Sequence, residues 1–554
     1  MTSVATSSSG VPVADGRRLA RDTATISALT LLSRLTGFVR IAVVSAVLGT
    51  TLLGNTYQTT NTVPNLVFEL FAAGMLQAVL VPELVGVLGR RGRAEGERIA
   101  GMVLGALLVV LGALALVGAV AAPLISRALF AGSPAEGALG DQQVWLGTVF
   151  LWVFLPQVVF YAVGMVGTAV LNAHDRFAVP AFAPVLNNLV VIGAYLAFGA
   201  MYGNRTTLDL SVAEVAVLAG GTTLAVAAFT AAPAIAVVRS GFSLRPRWGI
   251  GDRTIRRLGR QGLWAGAFLA LTQVLLLAAA VLANVVEGGV IIYQFAYTFF
   301  LLPHALVAIP VFTALYPSLA RAAHGGDRPG FSSLVQRGVT AVWLLTLPAA
   351  AAMVALGEPA ASLTMFNRAA SSAPEVAAAM AAFAFGLAPY GIFLLLTRAA
   401  YAHGEARLPT IVHLTTTVIG VAGMAIATAV LDGASRITGL AGAHSVAYIV
   451  GLVLLRRGLA PRIGTAHLVP WRLGGGALLA ALAAAGAMAA TAALVGDRVV
   501  DGRLGAAVEL AAAGLVGLAV YLVGLRLVGV RDPRTLFRAP VAAAPAVSGD
   551  GADG

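Results

Sequence analysis

The residues of this chain best suited to chemistry are charges set in apolar sequence. Arg34 and Arg40 occur in SRLTGFVR (Ser33 to Arg40), inside a run that is otherwise apolar. On a helix they project about 120° apart and ~9 Å along the axis, so one aqueous cavity serves both only if it wets a broad face. A guanidinium fork pairs bidentately with phosphate, and a wet cavity keeps it charged. The competing reading, snorkelling to the membrane surface, suits Arg34, which lies nearer the start of the run. In the next run Gln58, Asn61, Asn65 and Glu69 fall within about 80° on a helical wheel, a polar stripe rather than scatter. Glu69 can titrate, or pair with Arg34 or Arg40 and hold them in place. A strip of helix–helix hydrogen bonds is the plainer alternative.

Later runs offer less. Gln294, Tyr297, Thr298 and His304 share one span and Arg398 lies near the end of another. A lone histidine such as His304 is more often a packing residue, Arg398 can reach the surface, and Asn187 and Asn188 are expected to satisfy neighbouring helices. Pro64 and Pro82 in the second span, and Pro303, Pro310 and Pro317 in the eighth, are placed to bend or break their helices, which suggests gates. Catalytic motifs do not emerge: there is no Walker A loop, HExxH, aspartate-rich metal motif or nucleophile elbow. Cysteine is absent, which removes disulfides, thiolate metal sites and a cysteine nucleophile. The expectation is a transporter and not an enzyme, with no cofactor and no metal, driven by membrane potential or an ion because no ATP site is present.

The elements that position these residues are helices in lipid. Of 554 residues 59% are hydrophobic and 11% charged, which excludes an ordinary globular enzyme. Apolar blocks of about 20 to 28 residues are each long enough to cross the ~30 Å hydrocarbon core. Fourteen spans are expected, starting near Thr25, Thr56, Ile99, Val144, Val179, Val212, Gly259, Gly289, Leu334, Val376, Thr410, Ile437, Gly474 and Ala506. Arginines in alternate connections divide 26 on the side of the N-terminus to 6 on the other. By the positive-inside rule both termini are then cytoplasmic. The net charge of +12 therefore reflects topology, and nucleic acid is not an expected partner.

The largest basic connection, Arg239 to Arg260, divides the first twelve spans into two sixes. A repeat agrees with that division: AHDRFAVP (Ala173 to Pro180) and AHGEARLP (Ala402 to Pro409) precede the fifth and eleventh spans, and LVPEL (Leu80 to Leu84) matches LYPSL (Leu315 to Leu319). The fold class is an all-α polytopic membrane protein of about fourteen helices, two pseudo-symmetric six-helix lobes with two helices appended. The expected divisions are a disordered tail over 1–24, an N-lobe over 25–238, a basic linker over 239–258, a C-lobe over 259–456, two further helices over 457–528 and a disordered tail over 529–554. Such repeats place a substrate site at their interface and work by rocking.

SRLTGFVR, Leu48-Gly49 and VPNLVFELFAAGMLQAVLVPEL (Val63 to Leu84) resemble the N-terminal signature of the MurJ/MviN family of lipid II flippases, and Tyr401 to Pro409 resembles that family's approach to its eleventh span. The resemblance implies the multidrug/oligosaccharidyl-lipid/polysaccharide exporter fold with a V-shaped cavity. It also implies a groove from the last two spans for the lipid tail, and alternating-access flipping of the undecaprenyl-diphosphate-linked peptidoglycan precursor for cell-wall synthesis. Arg34 and Arg40 match its cavity arginines, and Asn65 a position beside a helix bend. Asn61, Glu69, Thr298 and Arg398 complete the expected substrate-binding set, with Pro64, Pro82, Pro303 and Pro310 as gates. Three positions depart from the pattern: Asn55 stands where many members have an acidic residue, Phe68 and Glu69 where a further arginine is usual, and Thr298 in place of an arginine. The cavity is correspondingly less cationic. The resemblance further implies the bacterial cytoplasmic membrane, with lipid II, membrane lipids and cell-wall synthesis and division proteins as partners. The alternatives are export of another polyprenyl-diphosphate oligosaccharide, export of cationic drugs, or a non-transporting cell-wall scaffold.

Overall fold

The computed structural model describes residues 13–71, 80–203, 205–249, 251–464, 468–496 and 502–530. No strand occurs among them. Thirteen described helices are long and apolar enough to cross a membrane. The second expected span is the helix Leu52–Phe71, whose stripe of amides, hydroxyls and Glu69 keeps it out of that apolar set. With it the fourteen expected positions are all helical, and the chain is an all-α membrane protein.

Several spans are interrupted, each for a local reason. The stretch Val81–Leu129 is two helices joined at Gly92, whose φ of 75° a side chain would resist, and the third span is the one that follows it. The fourth consists of Gly137–Phe154 and Gln157–Ala173, separated at Pro156. The eighth runs as Gly289–Pro303, a π-helical turn His304–Ala308, and Ile309–His324. Pro310 has no N–H to return to the carbonyl four residues back, so the register widens by one residue there.

Two expectations need correction. Residues 13–24 are helical and not a loose tail, because the first helix, Val13–Leu48, begins well before the apolar run; alanine, leucine and arginine propagate a helix whether or not lipid surrounds it. The segments 1–12 and 531–554 lie outside the described residues. Pro82 lies in a helical segment that ends at Gly92, ahead of the third span; residues 72–79, between it and Leu52–Phe71, lie outside the described residues. The basic linker is shorter than 239–258, since helix resumes at Arg253. It is laid against the third span: Arg247 N–H donates to the Gly101 carbonyl at 2.9 Å, and Ser243 N–H to Glu97 Oε1 at 3.1 Å. A Cβ at Gly105 would run into the backbone of Arg247, so that approach requires glycine.

The chain forms two compact units. The first contains Met1–Phe295, Thr364–Glu375 and Met424–Leu440; its core joins Val44, Leu48, Tyr57, Phe150, Phe154, Tyr195 and Phe198, and a second cluster packs the third span on Val158–Leu171 and Phe242. The second unit contains Ala296–Leu363, Val376–Gly423 and Ala441–Gly554. In it the last two spans, Trp471–Gly496 and Arg503–Leu527, pack through small residues on each other and on the ninth, Arg328–Ala355. Tyr521 Oη donates to the Leu344 carbonyl at 2.6 Å, tying that pair of helices to the ninth.

Candidate functional site

The Arg34–Arg40 stretch is held by the fifth span, Ala178–Tyr202. Asn188 Nδ2 donates to the Ser33 carbonyl at 3.2 Å and to Thr36 Oγ1 at 3.1 Å. Asn188 thus serves packing, as expected, and in doing so fixes the rotation of the helix that carries both arginines. Arg34 is exposed and Arg40 half-buried. Among the described residues neither has an ion-pair partner within 4.0 Å. Arg34 acts on Glu69 through space, and Arg40 on the buried Tyr57, Tyr161 and Tyr195.

The second span supplies the polar stripe. Asn65 Nδ2 donates to the Asn61 carbonyl at 2.8 Å, which leaves Asn65 Oδ1 to accept from Tyr161 Oη at 3.1 Å. Tyr161 also lies within the field of Glu69 and packs, tilted, against Phe68, with ring centroids 4.2 Å apart. It therefore links Asn65, Glu69 and Arg40 in one polar group, and it was not among the expected site residues. A single tyrosine in the apolar run QVVFYAVGM carries no sequence signal for that role. Tyr57 and Tyr195 back this group, their hydroxyls 2.9 Å apart.

Asn55, one of the three departures, also has a structural assignment. Its Nδ2 donates to the Val286 carbonyl at 2.8 Å and its Oδ1 accepts from Val290 N–H at 3.1 Å, so it clamps the turn before Gly289–Pro303. A carboxylate could accept the second bond but not donate the first. Beside it Asn284 Nδ2 donates to Thr59 Oγ1 at 3.0 Å and to the Leu129 carbonyl at 3.2 Å.

The first unit thus gathers Arg34, Arg40, Asn61, Asn65 and Glu69. Thr298 and Arg398 belong to the second unit. Arg398 is exposed, its guanidinium 5.9 Å from the Phe312 ring centre. Of the expected gates, Pro64 is buried within Leu52–Phe71, Pro82 lies in the helical segment that ends at Gly92, and Pro303 and Pro310 bracket the π-helical turn. Among the described residues no group of three or more histidines, aspartates or glutamates is placed to hold a metal ion. Among the described residues the arrangement suits binding of an anion, by two cations with no ion-pair partner within 4.0 Å beside amide and phenol groups, and it contains no paired acid and base for bond breaking.

Three comparisons bear on this geometry. The family model described as "Lipid II flippase MurJ" matches residues 44–509. A probable lipid II flippase MurJ of Rhizobium meliloti is 31% identical over 71% of this chain and 72% of its own length, and one of Vibrio cholerae is 26% identical over 93% and 97%. A solved structure of a lipid II flippase MurJ in an inward closed conformation superposes with a TM-score of 0.72 at 17% identity, covering 93% of this chain and 99% of that one.

Proposed function

The chain belongs to the lipid II flippase MurJ family, and from that premise we propose how its residues do the work. It is a transporter and not an enzyme, and it carries lipid II, the lipid-linked precursor of peptidoglycan, across the membrane. Arg34 and Arg40 bind the diphosphate of the head group, and Asn61, Asn65 and Tyr161 offer hydrogen bonds to its sugars. Glu69 orients Arg34. The observation that carries this reading is that two arginines of a membrane span form no ion pair within 4.0 Å among the described residues, beside a polar stripe, since intramembrane charge left unpaired is costly unless an anionic ligand completes it.

Thr298 and Arg398 add contacts from the second unit. Pro64, Pro82 and the Pro303–Pro310 bracket are the points at which the helices yield during alternating access. Exposed leucines of the last two spans, such as Leu479, Leu482, Leu515 and Leu527, support a role in receiving the polyprenyl tail. The arginine distribution supports cytoplasmic termini in the bacterial cytoplasmic membrane, and the cycle runs without a cofactor, on membrane potential or an ion. Proteins of cell-wall synthesis and division are its proposed partners. Glu69 is the sole carboxylate in the described polar group, which is thin support for drug-cation export. The test is depletion of the protein with complementation by Arg34→Ala, Arg40→Ala and Glu69→Gln, scoring lipid II accessible at the outer leaflet. Wild-type accessibility with both arginine variants overturns the site; unchanged accessibility on depletion, in a strain with no second flippase, overturns the function.

A further inference from the structure

The second unit holds a group of titratable rings that head-group binding does not use. His304, His413 and His444 are 6%, 0% and 1% exposed and come from the eighth, eleventh and twelfth spans. Tyrosines join them into one cluster. Ring centroids are 4.7 Å apart from His304 to Tyr390 and 4.8 Å from Tyr390 to Tyr448. From Tyr448 the distances are 5.0 Å to His444 and 6.0 Å to His413. Tyr297 lies 5.5 Å from His444. Four helices therefore contribute to a contiguous histidine–tyrosine core walled by Phe300, Phe383 and Phe393.

A packing role explains one buried histidine, but three in a single lipid-embedded cluster require more. Each imidazole brings two polar nitrogens into a core that phenylalanine would fill without desolvation cost. What imidazole adds is the ability to accept a proton in the physiological range, and intramembrane histidine chains are a recurrent means of moving protons. The surroundings suit a neutral resting state. Among the described residues of this unit no aspartate or glutamate is buried to hold a permanent imidazolium. A cation approaches by way of Phe312: Arg398 packs on that ring, which faces His304 with ring centroids 5.9 Å apart. The ninth span, packed on the π-helical turn, contributes Arg337, which is exposed. Protonation therefore favours a rearranged, wetter packing, and His304 sits at the start of the π-helical turn His304–Ala308, an element suited to changing register.

We propose that this histidine–tyrosine cluster is a proton-binding site that couples proton movement to the transport cycle. A ring nitrogen takes a proton from water in one conformation and returns it to water in the other; one N–H bond forms and later breaks, and nothing is oxidised or reduced. This deepens the flippase reading and rests on it for the cargo.

The experiment uses the full chain in phosphatidylglycerol–phosphatidylethanolamine vesicles with lipid II. A pH gradient is imposed in either direction while potassium and valinomycin clamp the potential at zero. The expected result is a several-fold difference in flipping rate between the two gradient directions, collapsing to a ratio of one in the doubly substituted His413→Gln/His444→Gln protein. Tyr448→Phe, which keeps the ring and its packing, is expected to lower the ratio as well. In parallel, the imidazoles are followed by carbon-13 resonances in nanodiscs without lipid II. There a titration step lost in the double variant is expected, and in case that variant does not fold, Tyr448→Phe is expected to shift the step. Flipping that ignores the gradient direction in the wild type, a gradient response surviving in the variants, or buried imidazoles that never titrate each overturn the proposal. Imidazoles that titrate in a protein that moves no lipid II support the site and overturn the flippase reading instead.

Discussion

The interiors of the two units solve the problem of polarity in lipid differently. The first carries fixed charge, Arg34, Arg40 and Glu69, and surrounds it with neutral groups that are hydrogen-bonded to one another. Tyr161 bonds Asn65, Tyr57 bonds Tyr195, and Asn284 bonds Thr59. The second buries no charge among its described residues beyond what three histidines acquire, and sets them among tyrosine and phenylalanine rings. A fixed cation recognises an anion at every pH, whereas an imidazole recognises a proton. The division places the substrate's charge with one unit and a titratable group with the other.

The largest expected effect tests that division directly. Arg40→Ala should lower outer-leaflet lipid II by about ten- to a hundred-fold in rate, since a charge-assisted bond contributes ~1.5–3 kcal/mol. Arg398→Ala, already satisfied on Phe312 and exposed, should cost no more than a few-fold. Equal losses would erase the contrast between the units. Next is Asn55→Ala, which strands a buried carbonyl and N–H and should destabilise the protein by about 2 kcal/mol, read as a lower melting temperature in detergent. Tyr161→Phe removes a single hydroxyl and should cost ~1 kcal/mol, seen as a modest loss of lipid II binding with little change in melting. An unchanged affinity would remove Tyr161 from the site.

The smallest effect concerns a matched pair of loops. His174 and His403 occupy equivalent places in the repeat, and each ring meets a phenylalanine, Phe242 at 5.5 Å and Phe331 at 4.3 Å. Burial pushes His403 below the usual imidazole range, and the neighbouring Arg462 adds to the shift. Both folded and unfolded forms are neutral above about pH 6.5. As pH falls through that value the unfolded chain protonates first, so stability declines until the lowered folded value is passed. His403→Gln should therefore lessen the drop in melting temperature between neutral and mildly acidic buffer.

The span count, the polar stripe and the arginine pair were legible in sequence because lipid makes each of them expensive: a charge in an apolar run is conspicuous wherever the run folds. Asn188 was read correctly as packing for the same reason, its amide having few partners other than a neighbouring helix. Tyr161 was not legible, because its role comes from a contact 96 residues away in sequence with Asn65 and from the field of Arg40. Asn55 was seen only as a missing charge, and its two-way clamp depends on the turn at Val286. The histidine cluster was invisible residue by residue, since each member looks like a solitary core histidine until four helices bring them together.

The connection between the sixth and seventh spans, Arg239 to Arg260, contains seven arginines, and by composition it offers many sites to a trypsin-like protease. A protease must draw an extended segment into its own cleft before it can cut. The peptide at Arg247 is already bonded to Gly101 and lies against Gly105, so cleavage there has to wait for the segment to peel away from the third span. A loop written as an exposed basic tether is in effect a fastened seam, resistant to nicking in proportion to how firmly two glycines let it lie down.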